Sequence, residues 1–151
     1  MKLEEYKKIL LTAIDKEVDS YAFYISLSEK VKDPALKTVF MDLAKEETYH
    51  RKTLQEYLNG TRKQLKFDEV KDYHLSDIIE KPKPSMDLKP LEGLQVAIKR
   101  EEEAMQMYEQ FAAASTDDDQ KKVFEELAKM ERGHKVRLED IYTNSAFAEA
   151  W

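Results

Sequence analysis

The 151-residue chain has no cysteine, which excludes disulfides, thiolate-held metals, cysteine-bound iron and thiol catalysis within it. Glycine occurs only three times and proline four times, as is typical of a mostly helical chain. No uninterrupted apolar run approaches the roughly 20 residues that a membrane span requires. The N-terminal segment mixes acids with its lysines and lacks an apolar signal core, so we expect a cytoplasmic protein without a signal peptide.

Acidic residues exceed basic ones by 31 to 25, which gives a formal net charge of −6. Because no basic stripe interrupts this balance, we expect neither nucleic acid nor an anionic membrane as a partner. Hydrophobic residues make up 42% of the chain. This composition and length predict one domain, spanning 1–151, with a substantial core.

Four segments with a 3.6-residue apolar period predict four helices. The first runs from about 3 to 31, and Asp33-Pro34 has the residue types of an N-cap and a first helical position. The second helix ends near Asn59-Gly60, a typical C-cap pair. The third begins near Pro90, and Ser115-Thr116-Asp117 separates it from the fourth. For the first helix the period predicts a buried stripe of Leu10, Ala13, Ile14, Tyr21, Tyr24 and Leu27.

The segment 59–89 lacks the helical period and holds two of the four prolines. A helix of 25 residues is about 37 Å long, and an extended chain gains about 3.3–3.6 Å per residue. The segment can therefore run back along the whole bundle, with one short turn expected at Leu75–Ile79. These lengths predict an all-α fold, a four-helix bundle in which a long crossover joins two antiparallel hairpins, about 3–58 and about 90–143.

Outside the hairpins, two features receive no site assignment. His74 lies in the crossover without a ligand-spaced partner, and we expect it to be exposed to solvent. The tail 144–151 ends in the segment Ala146–Trp151, which is apolar for a terminus. The sequence leaves open whether this tail docks on the bundle or on a partner chain.

The most informative pattern is a glutamate followed by a Glu-x-x-His pair, which recurs 84 residues later without a gap. Each of these glutamates lies within the apolar stripe of its helix, and each histidine follows one turn later on the same face. A single Glu-x-x-His pair is usually part of a solvated helix face, and Glu46, Glu102 and Glu103 are expected at the surface. The duplicated set of four inward carboxylates and two imidazoles consists of Glu17, Glu47, His50, Glu101, Glu131 and His134.

Four buried carboxylates must be protonated, paired or bound to metal, and the sequence offers few inward cations to pair with them. Two divalent ions would neutralise their charge, with one histidine on each ion. Carboxylates with imidazole suit iron or manganese, and zinc is a competitor. Tyr24 and Tyr108 lie two turns after the first glutamate of each half. Each is either a hydrogen-bond donor to a ligating carboxylate or a core tyrosine.

The motifs AIDKEVDSYAFY and LAKEETYH in the first half, with AIKREEEAMQMY and LAKMERGH in the second, resemble the rubrerythrin-like branch of the ferritin-like family. The resemblance covers both hairpins. It implies a ferritin-like bundle that binds two iron ions through the six residues of the repeat, and reduction of hydrogen peroxide or dioxygen. Full-length rubrerythrins carry a rubredoxin domain with cysteine-bound iron. This chain lacks cysteine, so we expect a separate electron donor such as a rubredoxin.

Ala104 departs from the family pattern, because rubrerythrins commonly carry an extra glutamate at this position of the third helix. The absence of this glutamate weakens the expectation of peroxidase activity more than the expectation of metal binding. Two alternatives to peroxide reduction therefore remain open, a ferroxidase or iron-handling protein and a non-catalytic metal-binding module. A homodimer is expected, because dimers are common among such bundles.

Overall fold

A computed structural model describes residues 1–67 and 89–144 of the chain. Four helices account for most of them: α1 (Leu3–Lys30), α2 (Pro34–Leu58), α3 (Lys89–Ala114) and α4 (Asp118–Asn144). No strand occurs within these described ranges. The predicted all-α fold is confirmed. None of the four helices has a stretch long and apolar enough to cross a bilayer.

Local capping explains where α2 begins and ends. The Asp33 carboxylate accepts hydrogen bonds from the backbone N–H groups of Ala35 (2.8 Å) and Leu36 (3.2 Å), and Pro34 follows as the first helical residue. At the other end Asn59 is the C-cap and Gly60 has a φ of +85°. This left-handed conformation is the one that glycine adopts without steric cost. Both boundaries agree with the sequence prediction.

The direction of the helices follows from contacts between the hairpins. Each hairpin packs its two helices against each other, α1 on α2 and α3 on α4. Tyr6 lies against Phe124, with ring centroids 5.7 Å apart, and Lys16 lies against Glu131. Residues later in α1 contact residues later in α4, so these two helices are parallel. Because each hairpin is antiparallel, α2 and α3 are parallel too. The connection between α2 and α3 therefore has to return along the bundle, as the predicted crossover requires.

The core consists of two apolar clusters, one on either side of a polar layer at mid-bundle. Aromatic residues from the repeat occupy equivalent positions in them, with Phe40 in one cluster and Phe124 in the other, both fully buried. Burial of these side chains supplies most of the stabilising free energy of such a bundle. The polar layer consequently lies in surroundings that exclude water on two sides.

Burial along α1 differs from the sequence prediction at one residue. Tyr21 is 43% exposed, although the period placed it in the buried stripe. Its neighbours in the same heptad position, Ile14 and Ser28, are buried. Periodicity identifies the face of a helix but does not determine how much of each side chain on that face is covered. The other five predicted stripe residues are buried.

The start of the crossover is anchored against α4. Leu65 and Phe67 are buried, and the Phe67 backbone N–H donates to Glu126 Oε2 at 3.0 Å. Lys129 Nζ donates in turn to the Phe67 carbonyl oxygen at 2.9 Å. The rest of the crossover, with the predicted turn Leu75–Ile79 and His74, lies outside the described residues, as does the tail with Trp151.

Candidate metal centre

The six residues singled out by the repeat meet at mid-bundle. Glu17 comes from α1, Glu47 and His50 from α2, Glu101 from α3, and Glu131 and His134 from α4. Their candidate ligand atoms form two groups, each with all atoms within 4.8 Å of one another. The first group contains Glu17, Glu47, His50 and His134, and the second contains Glu101, Glu131 and His134.

His134 belongs to both groups, which departs from the expectation of one histidine for each half. Its Nε2 atom lies 2.9 Å from Glu47 Oε1, while its Nδ1 atom lies 3.4 Å from Glu101 Oε2 and 3.5 Å from Glu131 Oε2. His50 Nδ1 is 3.4 Å from Glu17 Oε2 and 3.4 Å from His134 Nε2. The two imidazoles thus contact each other across the repeat.

The halves also differ in their exposure to solvent. The side chain of His134 is 4% exposed and that of His50 is 17% exposed. Phe67 packs edge-on against the His50 ring, with centroids 5.3 Å apart. The repeat predicts a symmetric site, but the described start of the crossover places the Phe67 ring against His50, so the two imidazoles have different surroundings.

Two cations that were not expected from the sequence lie inside the bundle. Lys16 Nζ donates to Glu101 Oε2 at 2.5 Å and to Glu131 Oε2. Arg137 pairs with Glu46, which is half-buried and not a surface residue as predicted. Lys16 is the cation that pairs with the carboxylates of the cluster among the described residues, and the sequence did not identify it. Lys16 follows Ala13 by three residues, at the edge of the apolar stripe, and its long stem lets the ammonium reach inward.

Of the other glutamates expected at the surface, Glu103 is exposed and Glu102 is half-buried. Glu101, Glu102 and Glu103 are consecutive glutamates, so residue type alone does not show which of them faces the interior. The alignment of the two repeats assigned Glu101 to the interior, and the structure buries it.

In each half of the cluster, the pKa of one carboxyl is raised and the pKa of its neighbour is lowered. Burial, followed by the charge of Glu47, raises the pKa of Glu17 well above its usual range. Burial also raises the pKa of Glu47, but the charge of His134 and the hydrogen bonds with Glu17, His134 and His50 together outweigh this effect and hold it well below the usual range. Two carboxylates that share one site behave in this way, because ionising both in a buried site costs too much free energy.

The second half follows the same rule. Burial, then the hydrogen bond with Glu101, raises the pKa of Glu131 to about 7. Against the effect of burial, the charge of His134 and hydrogen bonds with Glu131 and His134 lower the pKa of Glu101 to about 2. Burial would lower the pKa of His134, but the charges of Glu47, Glu17 and Glu101 raise it well above its ordinary value. The cluster thus balances its negative charge with the imidazolium of His134 and the ammonium of Lys16.

Four buried carboxylate oxygens bear on whether the carboxylates and imidazoles of the cluster fit a metal ion. Within the described ranges, no N–H group or hydroxyl donates a hydrogen bond to Oε1 or Oε2 of Glu17, Oε2 of Glu47 or Oε1 of Glu131, although His50 Nδ1 lies 3.4 Å from Glu17 Oε2. Buried oxygens without donors are costly and rare. Carboxylate oxygens with imidazole nitrogens are the donors that iron and manganese accept. The cluster therefore fits a metal site, with unsatisfied oxygens aimed into it.

Tyr24 and Tyr108 are both buried beside the cluster. Burial, then the charge of Glu47, raises the pKa of Tyr24, and burial, then the charge of Glu131, raises that of Tyr108. Both hydroxyls therefore remain protonated and can act as donors. Their role in orienting ligating carboxylates stays a prediction.

A cavity of about 430 Å³ adjoins the cluster on the side of α2 and α4. Both histidines line it, together with Phe67, Met130 and Gly133. Charged side chains at its rim include Lys45, Glu46, Lys129 and Arg137. This cavity offers a small molecule a route to the imidazoles.

Comparisons with known proteins agree with this architecture. A hypothetical protein from Pyrococcus furiosus is 26% identical, with a TM-score of 0.63 and 97% of each chain covered. An uncharacterised conserved protein from Magnetospirillum magnetotacticum is 22% identical, with a TM-score of 0.63 over 95% of each chain, and shows the same fold. No curated protein matches the sequence significantly. The rubrerythrin family profile matches residues 8–142, nearly the whole chain. The chain therefore belongs to the rubrerythrin family.

Proposed function

We propose that the protein is a non-haem diiron oxidoreductase that reduces hydrogen peroxide or dioxygen to water. Membership of the rubrerythrin family and the buried carboxylate–histidine cluster together suggest a diiron site. The observation that carries the proposal is the set of buried carboxylate oxygens without donors, aimed at one another at mid-bundle. Glu17, Glu47, His50, Glu101, Glu131 and His134 are the proposed ligands.

Two ferrous ions, when bound, would supply the two electrons that cleave the O–O bond of peroxide. The chain's own residues provide the surroundings for this step. The apolar clusters on both sides exclude bulk water, which strengthens every electrostatic interaction inside. The carboxyl of Glu17, kept neutral in the metal-free cluster, gives up its proton when its oxygens neutralise a cation.

Substrate and electrons are proposed to reach the site from outside. The cavity beside His50 and His134 is wide enough for peroxide or dioxygen. A separate donor protein such as a rubredoxin is proposed to supply the electrons, since these 151 residues include no cysteine that could hold an electron-transfer iron. Manganese or zinc can replace iron at such a donor set.

Stopped-flow oxidation tests the proposal. Protein loaded with ferrous ion in the absence of oxygen is mixed with hydrogen peroxide, and the ferric absorption is followed. We expect oxidation much faster than that of free ferrous ion in the same buffer. A rate equal to that of free ferrous ion would remove the enzyme claim. Accumulation of many more than two irons per chain would instead favour the iron-handling alternative.

A further inference from the structure

Lys16 breaks the symmetry of the repeat at the metal cluster. Its ammonium donates to Glu101 Oε2 and Glu131 Oε2, and its side chain is 23% exposed. The residue at the same repeat position in the second half is Arg100, on α3, which is exposed. A cation therefore lies in one half of the cluster and not in the equivalent place of the other half.

The two groups of candidate ligands are consequently in different states. In the group of Glu17, Glu47, His50 and His134, three buried carboxylate oxygens accept no hydrogen bond from a lysine ammonium or from any other N–H group or hydroxyl within the described ranges. In the group of Glu101, Glu131 and His134, one oxygen of each carboxylate is already bound by the ammonium. A cation entering the first group satisfies unpaired oxygens, whereas one entering the second must compete with Lys16.

We propose that Lys16 is a displaceable counter-cation that holds the position of the second metal ion, so that the two ions bind in sequence. The first ion binds to the Glu17–Glu47 group. The second binds only by displacing the Lys16 ammonium from Glu101 and Glu131. This inference rests on the proposed two-metal site and assigns a binding order to it.

The chemistry of lysine suits this role. Its ammonium is a compact charge at the end of a flexible four-carbon stem, so it can leave the carboxylates without movement of the helix. The partial exposure of the side chain shows that solvent lies within its reach. While only one ion is bound, the ammonium keeps Glu101 and Glu131 from being an uncompensated buried pair. Arginine would hold the two carboxylates more firmly, because its guanidinium binds carboxylates in a bidentate way.

Titration with Co²⁺ under anaerobic conditions, followed by calorimetry and by the visible absorption of the bound ion, tests the binding order. The wild-type chain is expected to bind two ions in separate steps, the second at least about tenfold more weakly. Lys16→Met is expected to tighten the second step at least about tenfold and leave the first within about threefold. Lys16→Arg is expected to weaken the second step. Arg100→Met is the matched control and leaves both steps unchanged.

The outcomes separate this inference from the proposed function. If the wild-type chain binds two ions and Lys16→Met binds them with unchanged constants, the role of Lys16 is refuted and the metal site stands. If Lys16→Met does not fold without metal, an unchanged second step in Lys16→Arg refutes it instead. If the wild-type chain binds no Co²⁺, both proposals fail.

Discussion

Glu17 shows most clearly how a single buried carboxyl can serve metal binding without serving the fold. It is 0% exposed, both of its oxygens lack donors within the described ranges, and burial keeps it neutral in the metal-free protein. Glu47 is buried to the same degree, but it is ionised and lies 2.9 Å from His134 Nε2. The two residues therefore contribute differently to the stability of the metal-free chain.

Replacing each carboxylate with the isosteric amide separates these roles. Glu17→Gln is expected to change the free energy of unfolding of the metal-free protein by less than about 1 kcal/mol, since a neutral group replaces a neutral group. Glu47→Gln removes the partner of a buried charge and is expected to cost about 3 kcal/mol. Both variants are expected to weaken metal binding at least about tenfold.

Urea denaturation of the chelator-treated proteins, with Asp19→Asn on the exposed face of α1 as control, gives the comparison. Equal destabilisation by Glu17→Gln and Glu47→Gln would contradict the assignment of their ionisation states. Unchanged metal affinity in either variant would contradict their role as ligands.

At the level of secondary structure, α2 and α4 each begin with an aspartate N-cap at equivalent positions of the repeat. Asp33 caps α2, and the Asp117 carboxylate accepts from the backbone N–H groups of Asp119 (2.9 Å) and Gln120 (3.0 Å) at the start of α4. An aspartate at this position satisfies free N–H groups and favours the positive end of the helix dipole. Both caps therefore hold the turn that closes a hairpin.

Removing either cap should destabilise the bundle by a similar amount. Asp33→Ala and Asp117→Ala are each expected to lower the free energy of unfolding by about 1 kcal/mol. The double variant should show the sum, because the two turns have no shared partners. Chemical denaturation measures all three. A loss below about 0.3 kcal/mol in both single variants would show that the caps do not stabilise the helices.

The helix boundaries could be predicted from the sequence because capping depends on neighbouring residues. The inward position of Lys16 and the asymmetry at His50 could not, because both depend on tertiary contacts. Asp33-Pro34 and Asn59-Gly60 cap the ends of α2 through neighbouring backbone groups, so the sequence alone identifies these boundaries. The spacing of the repeat predicted that all six candidate ligands point into the bundle, because the helix period determines the face on which each residue lies. The inward position of Lys16 depends on carboxylates from α3 and α4, which no local pattern on α1 reveals. The asymmetry at His50 likewise depends on where the crossover begins to pack.

For the molecule as a whole, the fold is expected to form without metal. The two apolar clusters lie apart from the candidate site, and the metal-free cluster balances its charge internally. A ligand that binds the folded chain alone stabilises it by about 2.7 kcal/mol when its free concentration is 100 times Kd. For a chain of this size, that corresponds to a rise in Tm of about 5–10 °C.

Differential scanning calorimetry with and without Co²⁺ measures this effect, and a chelator should reverse it. A cooperative transition is expected in both states. A Tm that does not respond to the ion would contradict binding to the folded state. Complete unfolding of the metal-free chain would contradict the internal charge balance. A homodimer remains a prediction at this scale, and sedimentation of the same samples tests it.

The duplicated glutamate and histidine residues are proposed to bind two metal ions, and elemental analysis measures this number. The chain is loaded anaerobically with ferrous ion, freed of excess, and analysed beside two variants of adjacent glutamates, buried Glu101→Gln and exposed Glu103→Gln. We expect two irons per chain in the wild type and in Glu103→Gln, and no more than one in Glu101→Gln. A wild-type chain without iron, or equal iron in both variants, would contradict it.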